Sequence, residues 1–420
     1  DLIGGQFLLR LCSFLCNFAL LRFTDPSLLG FFNVRINLLY NTIGFLSREP
    51  VRKLCLSSDI PLAEVHNYSF ISSFIALFTS TFCCTLWFFF WTSFVELSIC
   101  NTSYLLILIV FSSSVCIELL AEPIIIEQLK SGRTRQYVFN GAILLLLQKV
   151  LTFAMLLFKI NPFISFSLSQ LIASLVYFYL FLHNNKINIL KMYKNGFLQI
   201  FDLKKLNEER FKLLKVYLFH SILKQFLTDG ANFIMAFSGS FPLKIQAVYD
   251  AVDRLASLFV RLILQPFEES ASIYFSINLK RIEEKEENNL KNKLPKNVLE
   301  TFLIFTKLIL IFGLIIFPYG FAYSKLAAFL YGGSLFEENK AHHLLSLYSI
   351  YLPIIAINGL SECFVFAQLN SEKFFYLEMT ILSQFIHVLI GILMLLFIGI
   401  IFIKNDFEEF RKINLKEKNI

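Results

Sequence analysis

The residues best suited to chemistry in this chain lie inside apolar stretches. Over 246–272, Gln246, Asp250, Asp253, Arg254, Ser257, Arg261, Gln265, Glu268 and Ser272 recur at steps of three or four. That spacing draws one polar stripe down the side of a helix. The residues between them, Leu255, Leu258, Phe259, Val260, Leu262, Ile263 and Leu264, suit lipid or packing. Five charges on one span would cost on the order of 12 kcal/mol if turned to hydrocarbon. The stripe therefore lines a wet cavity or a protein interior, or its members satisfy one another, Asp250 with Arg254 and Arg261 with Gln265.

The theme repeats. His220, Ser221, Lys224, Gln225, Thr228, Asp229 and Asn232 share a broad face of the run 214–238. Asn33, Asn37 and Asn41 follow at four-residue steps beside Arg35, with Arg48 and Glu49 at the end of the same run. Glu118 and Glu122 share a face just ahead of Pro123, which should kink the helix. Gln148 and Lys149 fall at mid-membrane depth, and Asn358, Ser361 and Glu362 lie in a later run. Guanidinium groups bind phosphate in a bidentate fork. A chamber lined by Arg35, Arg48, Lys149, Lys224, Arg254 and Arg261 would suit an anionic headgroup, with the carboxylates neutralising these bases or coupling protons or ions. Cysteines and histidines are scattered without metal-ligand spacing, so no metal or cofactor is expected.

Composition fixes the elements that must hold these groups. The chain has 420 residues, 56% hydrophobic and only 16% charged, with 50 phenylalanines. Soluble domains carry roughly 25% charged residues. Collagen-like, disordered and disulfide-scaffold classes are excluded by 16 Gly, 10 Pro and 8 Cys. An all-α polytopic membrane protein remains. About eleven runs are long enough to cross the hydrocarbon layer as helices, near 6–23, 28–47, 68–92, 103–126, 138–158, 163–183, 214–238, 246–278, 299–323, 343–367 and 374–403. Runs such as LLILIVF (105–111) lack the alternation of a membrane β-barrel.

Lysine and arginine concentrate in the loops after the second, fourth, sixth and eighth runs. This bias puts those loops, and the N-terminus, in the cytosol. The sequon at Asn101 then lies on the lumenal side and that at Asn67 on the cytosolic side. The polar stretch 184–213 reads as a cytosolic loop between an N-terminal six-helix lobe (1–183) and a C-terminal lobe of about five spans (214–403), with a charged tail at 404–420. Two such lobes around a central polar cavity are a common transporter plan. The basic tail falls on the wrong side for an eleven-span chain, which implies a missing terminal span.

The run LLRFTDPSLLGFFNVRINLLYNTIGFLSREPVRKLCL (20–56) resembles the N-terminal signature of the Rft family. ELLAEP (118–123), LKQFLTDGANFIMAF (223–237), QAVYDAVDRLASLFVRLILQPFEES (246–270), YGFAYSKLAAFLYGG (319–333) and AINGLSECFVFA (356–367) agree in order, up to about residue 375. The resemblance implies a flippase-superfamily fold and a role in the endoplasmic reticulum. There it would translocate, or assist translocation of, the dolichol-pyrophosphate-linked oligosaccharide (Man5GlcNAc2 type) used in N-glycosylation. It carries over the signature positions Arg35, Arg48, Glu49, Glu122, Lys224, Asp229, Arg261, Glu268, Glu269 and Glu362. The family's last helices are expected to be absent after about residue 375.

The implied partners are that lipid, the surrounding membrane lipids and proteins of the glycosylation pathway; no nucleic acid is implied. No G-x-x-x-x-G-K-[ST] sequence is present, so energy must come from a gradient or from downstream consumption. An ion-coupled antiporter of small organic cations would want a cavity dominated by acids, yet bases are at least as numerous here. A non-transporting scaffold for glycosylation enzymes is the other alternative. A glycosyltransferase would want acidic lumenal loops, and these loops are short and poor in acids, so no enzymatic activity is expected. If the charge bias sets the topology, Asn101 and not Asn67 is the glycan acceptor. An endoglycosidase-sensitive mobility shift should then vanish in Asn101→Gln and persist in Asn67→Gln.

Overall fold

The computed structural model describes residues 2–56, 65, 68–91, 101–185, 208–237, 241–259, 264, 267–268, 270–271, 274–275 and 296–368. The run 374–403, the tail 404–420, most of the loop 184–213, and Asn67, Arg261, Gln265, Glu269 and Ser272 lie outside the described residues. All regular structure among the described residues is helical. The chain is an all-α polytopic membrane protein.

Helix α1 (Leu2–Phe23) is followed by α2 (Pro26–Leu29), a π-helical stretch (Gly30–Ile36) and α3 (Asn37–Leu56) without interruption. Asp25 starts this run, its carboxylate accepting from the Ser27 amide at 2.9 Å, with Pro26 in the first helical position. Next come α4 (Ile71–Trp91), α5 (Asn101–Leu120), α6 (Glu122–Lys130), α7 (Thr134–Leu157) and α8 (Pro162–Asn185). The kink expected at Pro123 takes the form of a break at Ala121, between α5 and α6. Helix α9 (Glu208–Phe237) bends at Asp229, where φ is −104° and ψ 15°. Helices α10 (Leu243–Phe259), α11 (Lys296–Gly332), α12 (Ser334–Glu338) and α13 (Ala341–Gln368) complete the described fold.

Among the described residues, six helical stretches are long and apolar enough to cross a membrane, in α4, α5, α7, α8, α11 and α13. The region Asn37–Leu56, α9 and α10 fall short because they carry the polar stripes. Large apolar side chains such as Phe78, Phe89, Phe158 and Leu314 stand more than 70% exposed. In water such surfaces would aggregate; in a bilayer they are the lipid-facing side.

The chain divides into two compact units, Asp1–Pro266 with Leu310–Ala356, and Phe267–Ile309 with Ile357–Ile420. In the first, the π-helical stretch and α2 pack against α10, and α3 against α9. Lipid tails are as apolar as leucine, so association rests on close van der Waals fit and small residues. Gly30 provides such a fit: a Cβ there would stand 2.0 Å from the Leu243 carbonyl oxygen. Opposite it, α10 offers the buried small residues Ala247 and Ala251. Aromatic rings fill the remaining core. Phe32 stacks on Phe166 with centroids 4.3 Å apart, Trp87 meets Phe237 edge-on at 5.0 Å, and Phe14 stacks on Tyr331 at 5.3 Å. In the second unit, Phe275 packs against Phe302, Phe305 and Phe364.

Because Gly30 faces backbone rather than a movable side chain, Gly30→Ala should lose about 1–3 kcal/mol or more of stability. Gly141→Ala, in α7 with open space around it, should cost nothing. Thermal unfolding in detergent distinguishes the two.

Candidate functional site

Two polar constellations occupy the first unit, and they differ in how completely protein partners satisfy them. The first joins α3 to α5, α6 and α8. Arg48 and Arg52 are one helical turn apart, as are Glu118 and Glu122, so the pairs meet as a ladder. Arg48 Nη2 donates to Glu118 Oε2 at 2.8 Å. Arg52 forks onto both oxygens of Glu122, and its Nη1 donates to Tyr137 Oη at 3.0 Å. Both glutamates are fully buried. The remaining Glu118 oxygen accepts from Tyr40 Oη at 2.6 Å and Ser174 Oγ at 2.7 Å. Two bases oppose two acids, so the ladder is electrically closed.

Arg35 is similarly committed. It is 3% exposed and donates through Nε to Gln246 Oε1 at 3.0 Å. Gln246 in turn donates to the Met235 and Phe241 carbonyl oxygens, and Trp87 Nε1 donates to the Arg35 carbonyl oxygen. This buried exchange fastens the π-helical stretch to α10.

The second constellation is more open. Arg254 Nε reaches both oxygens of Asp250, at 2.9 and 2.8 Å, as self-satisfaction of the stripe requires. Its terminal nitrogens bond to no described residue, and they are not among the buried unpartnered atoms. Lys149, on α7, is buried as a residue yet forms no ion pair or hydrogen bond with a described residue, and its Nζ is likewise not sealed off. Asp250, Arg254 and Cys16 lie within electrostatic range of it. Cationic tips from two helices thus meet an accessible space. One turn along α10, Asp253 accepts from Tyr348 Oη of α13 at 2.7 Å.

The other sequence-derived residues are dispersed. Lys224 pairs with Glu49 at 3.3 Å in an exposed setting, its Nζ 5.9 Å from the centre of the Phe45 ring. Asp229, at the bend of α9, accepts from Gln225 at 2.7 Å and Asn232 at 3.4 Å. Glu268 belongs to the second unit, where its carboxylate lies against the backbone at Gly359. Glu362 lies in α13, and Asn101 is the first residue of α5. Among the described residues, no cluster of His, Cys, Asp or Glu could hold a metal ion.

A family model described as Rft protein matches residues 1–404. The chain belongs to the Rft family. Its relatives include proteins of Caenorhabditis elegans (32% identical over 411 residues, 93% of this chain and 76% of the relative), of mouse (31% over 389 residues, 88% and 70%) and of Dictyostelium discoideum (29% over 413 residues, 89% and 75%). All three are named Man(5)GlcNAc(2)-PP-dolichol translocation protein RFT1. No solved structure matches. The Rft match runs to residue 404, so the family pattern does not stop near residue 375 as the motif blocks suggested; those blocks end where the Rft sequence becomes uniformly apolar and short motifs lose contrast.

Sequence reading of this Rft chain passed over Arg52, Tyr40, Ser174 and Tyr137 as site residues. The signal was present in part, since Arg48/Arg52 and Glu118/Glu122 are both spaced by four. Tyr40 and Ser174 carry no such mark, because hydroxyl groups are ordinary in apolar helices. Removing one partner of a buried ion pair strands the other, at about 3–5 kcal/mol. Glu118→Ala should therefore destabilise strongly, while Arg48→Ala/Glu118→Ala should cost less than the sum of the single losses. A double-mutant cycle on unfolding in detergent checks this.

Proposed function

We propose that this Rft chain translocates, or assists translocation of, a dolichol-pyrophosphate-linked oligosaccharide of the Man5GlcNAc2 type from the cytosolic to the lumenal leaflet of the endoplasmic reticulum. It does so as a multi-pass protein with a cytosolic N-terminus and without enzymatic chemistry of its own. The names of its relatives support the cargo. The observation that carries the mechanism is the pair of open cationic tips, Lys149 Nζ and the terminal nitrogens of Arg254, on separate helices in a membrane-embedded unit.

The chemistry fits a pyrophosphate. Asp250 grips Arg254 through Nε and both of its own oxygens, which orients the guanidinium and leaves its outer edge to fork onto phosphate oxygens. Lys149 adds a compact point charge beside it. With both bases charged, Asp250 leaves a net charge of one. That moderates binding, as a carrier needs to release what it captures. At about 4 Å and an effective dielectric constant near 20, each ion contact is worth about 4 kcal/mol before desolvation. In this reading the residues 1–183 and 214–403 form two lobes joined by 184–213, the headgroup passes between them, and the polyprenyl tail stays in lipid. Lys224, Glu49, Asp229 and Arg261 lie along the same route, and glycosylation-pathway proteins are the expected neighbours.

Lys149→Ala and Arg254→Ala should each weaken binding of a polyprenyl pyrophosphate about tenfold in nanodiscs, with unfolding temperatures unchanged. Cells relying on either variant should underglycosylate a reporter glycoprotein. Unchanged binding and glycosylation in both variants would overturn the proposal in favour of a scaffold. Tight binding of an organic cation in place of the pyrophosphate would favour an antiporter.

A further inference from the structure

Translocating an oligosaccharide requires handling neutral hydroxyl groups as well as phosphate, and cations alone serve that poorly. Asn33, Asn37 and Asn41 stand at four-residue steps along the π-helical stretch and α3. Four residues make a little under one π turn and a little over one α turn, so the three amides stay on one side. None of them forms a side-chain hydrogen bond with a described residue, and none is among the buried unpartnered atoms. Each therefore opens onto accessible space, while Leu38, Leu39 and Ile43 between and beside them are fully buried.

The direction of this face is set by its flanks. On one side, Tyr40 and Arg48 reach Glu118, and Gly44 lies against Val115 of α5. On the other, Thr42 accepts from Gln225 and Glu49 meets Lys224, both on α9. The amides fall between these two contacts. Counting about 100° per residue, Asn37, Asn41, Phe45 and Arg48 occupy an arc of about 80° on α3. Facing hydrocarbon, six unsatisfied amide donor and acceptor groups would each cost roughly 1–3 kcal/mol. Facing a wet passage, they cost nothing and remain available to a ligand.

We infer that Asn33, Asn37 and Asn41, with the half-buried ring of Phe45 at their end, form a track that binds the sugar residues of the lipid-linked oligosaccharide. A primary amide offers donor and acceptor groups at a spacing that matches vicinal hydroxyls. An aromatic ring packs against the apolar face of a pyranose. Successive amides one turn, about 5.4 Å, apart present repeated contacts along an extended glycan. The track rests on the pyrophosphate reading above and adds specificity for the glycan to it.

The test uses the full chain in nanodiscs and two probes of equal prenyl length, polyprenyl pyrophosphate and polyprenyl-pyrophosphoryl-chitobiose. Asn33→Ala/Asn37→Ala/Asn41→Ala should lose about tenfold in affinity for the chitobiose lipid and less than twofold for the bare pyrophosphate. Asn41→Ala alone, at an exposed position, and Phe45→Leu, which keeps apolar volume, should show the same selective loss at a few-fold level, so a misfolded triple variant does not decide the matter. Equal losses for both lipids, or no loss for either, overturn the sugar track and leave the pyrophosphate site standing. A wild-type chain that binds neither lipid overturns both.

Discussion

The described structure hinges on how buried charge is neutralised around α3. Arg48 and Arg52 descend one face of that helix and meet Glu118 and Glu122 across the break at Ala121. A carboxylate fully removed from water is tolerable only when cations and hydroxyl donors surround it. Glu118 meets that condition with Arg48, Tyr40 and Ser174; Glu122 meets it with Arg52. The break between α5 and α6 lets the second glutamate turn toward its arginine. Interrupting one helix thus allows two ion pairs to close. The resulting clamp fixes α3 against α5, α6 and α8, and thereby fixes which way the amide face of α3 looks.

This closure separates two uses of charge that look alike in a list of residues. Arg35, Arg48 and Arg52 have their requirements met by Gln246, Glu118 and Glu122. They hold helices together. Lys149 and the outer edge of Arg254 have no such protein partners, and only groups in that condition can take a ligand without first breaking something. Within one fold, the contrast between spent and unspent hydrogen-bonding capacity distinguishes scaffolding from a candidate site better than charge or depth alone.

Much of the helical layout was legible from apolar run length, because crossing hydrocarbon imposes a minimum on every helix. The runs near 138–158 and 163–183 became Thr134–Leu157 and Pro162–Asn185 with little change. Boundaries failed where a polar stripe diluted the apolar signal. The run 28–47 extends in the structure to Leu56, past Arg48 and Arg52, because the glutamates of α5 and α6 neutralise those bases. The site was legible only as a set of candidates. Spacing put Asp250 and Arg254 on one face, but whether an arginine is consumed by its neighbour depends on the third helix beside it. Sequence carries no trace of that distance. The π-helical stretch was equally invisible, since its residues have no distinctive composition beyond Gly30.

That stretch has a consequence for how this part of the chain tolerates change in length. A π turn holds more residues than an α turn, so Gly30–Ile36 is slightly overfilled. Deleting one residue there would let the helix relax to α geometry and rotate all that follows by roughly 100°. Arg48 and Arg52 would swing away from their glutamates, and the asparagines would face a different neighbour. A deletion of a single codon in this stretch would therefore act less like the loss of a side chain than like a shift in phase, scrambling every downstream contact of α3 at once.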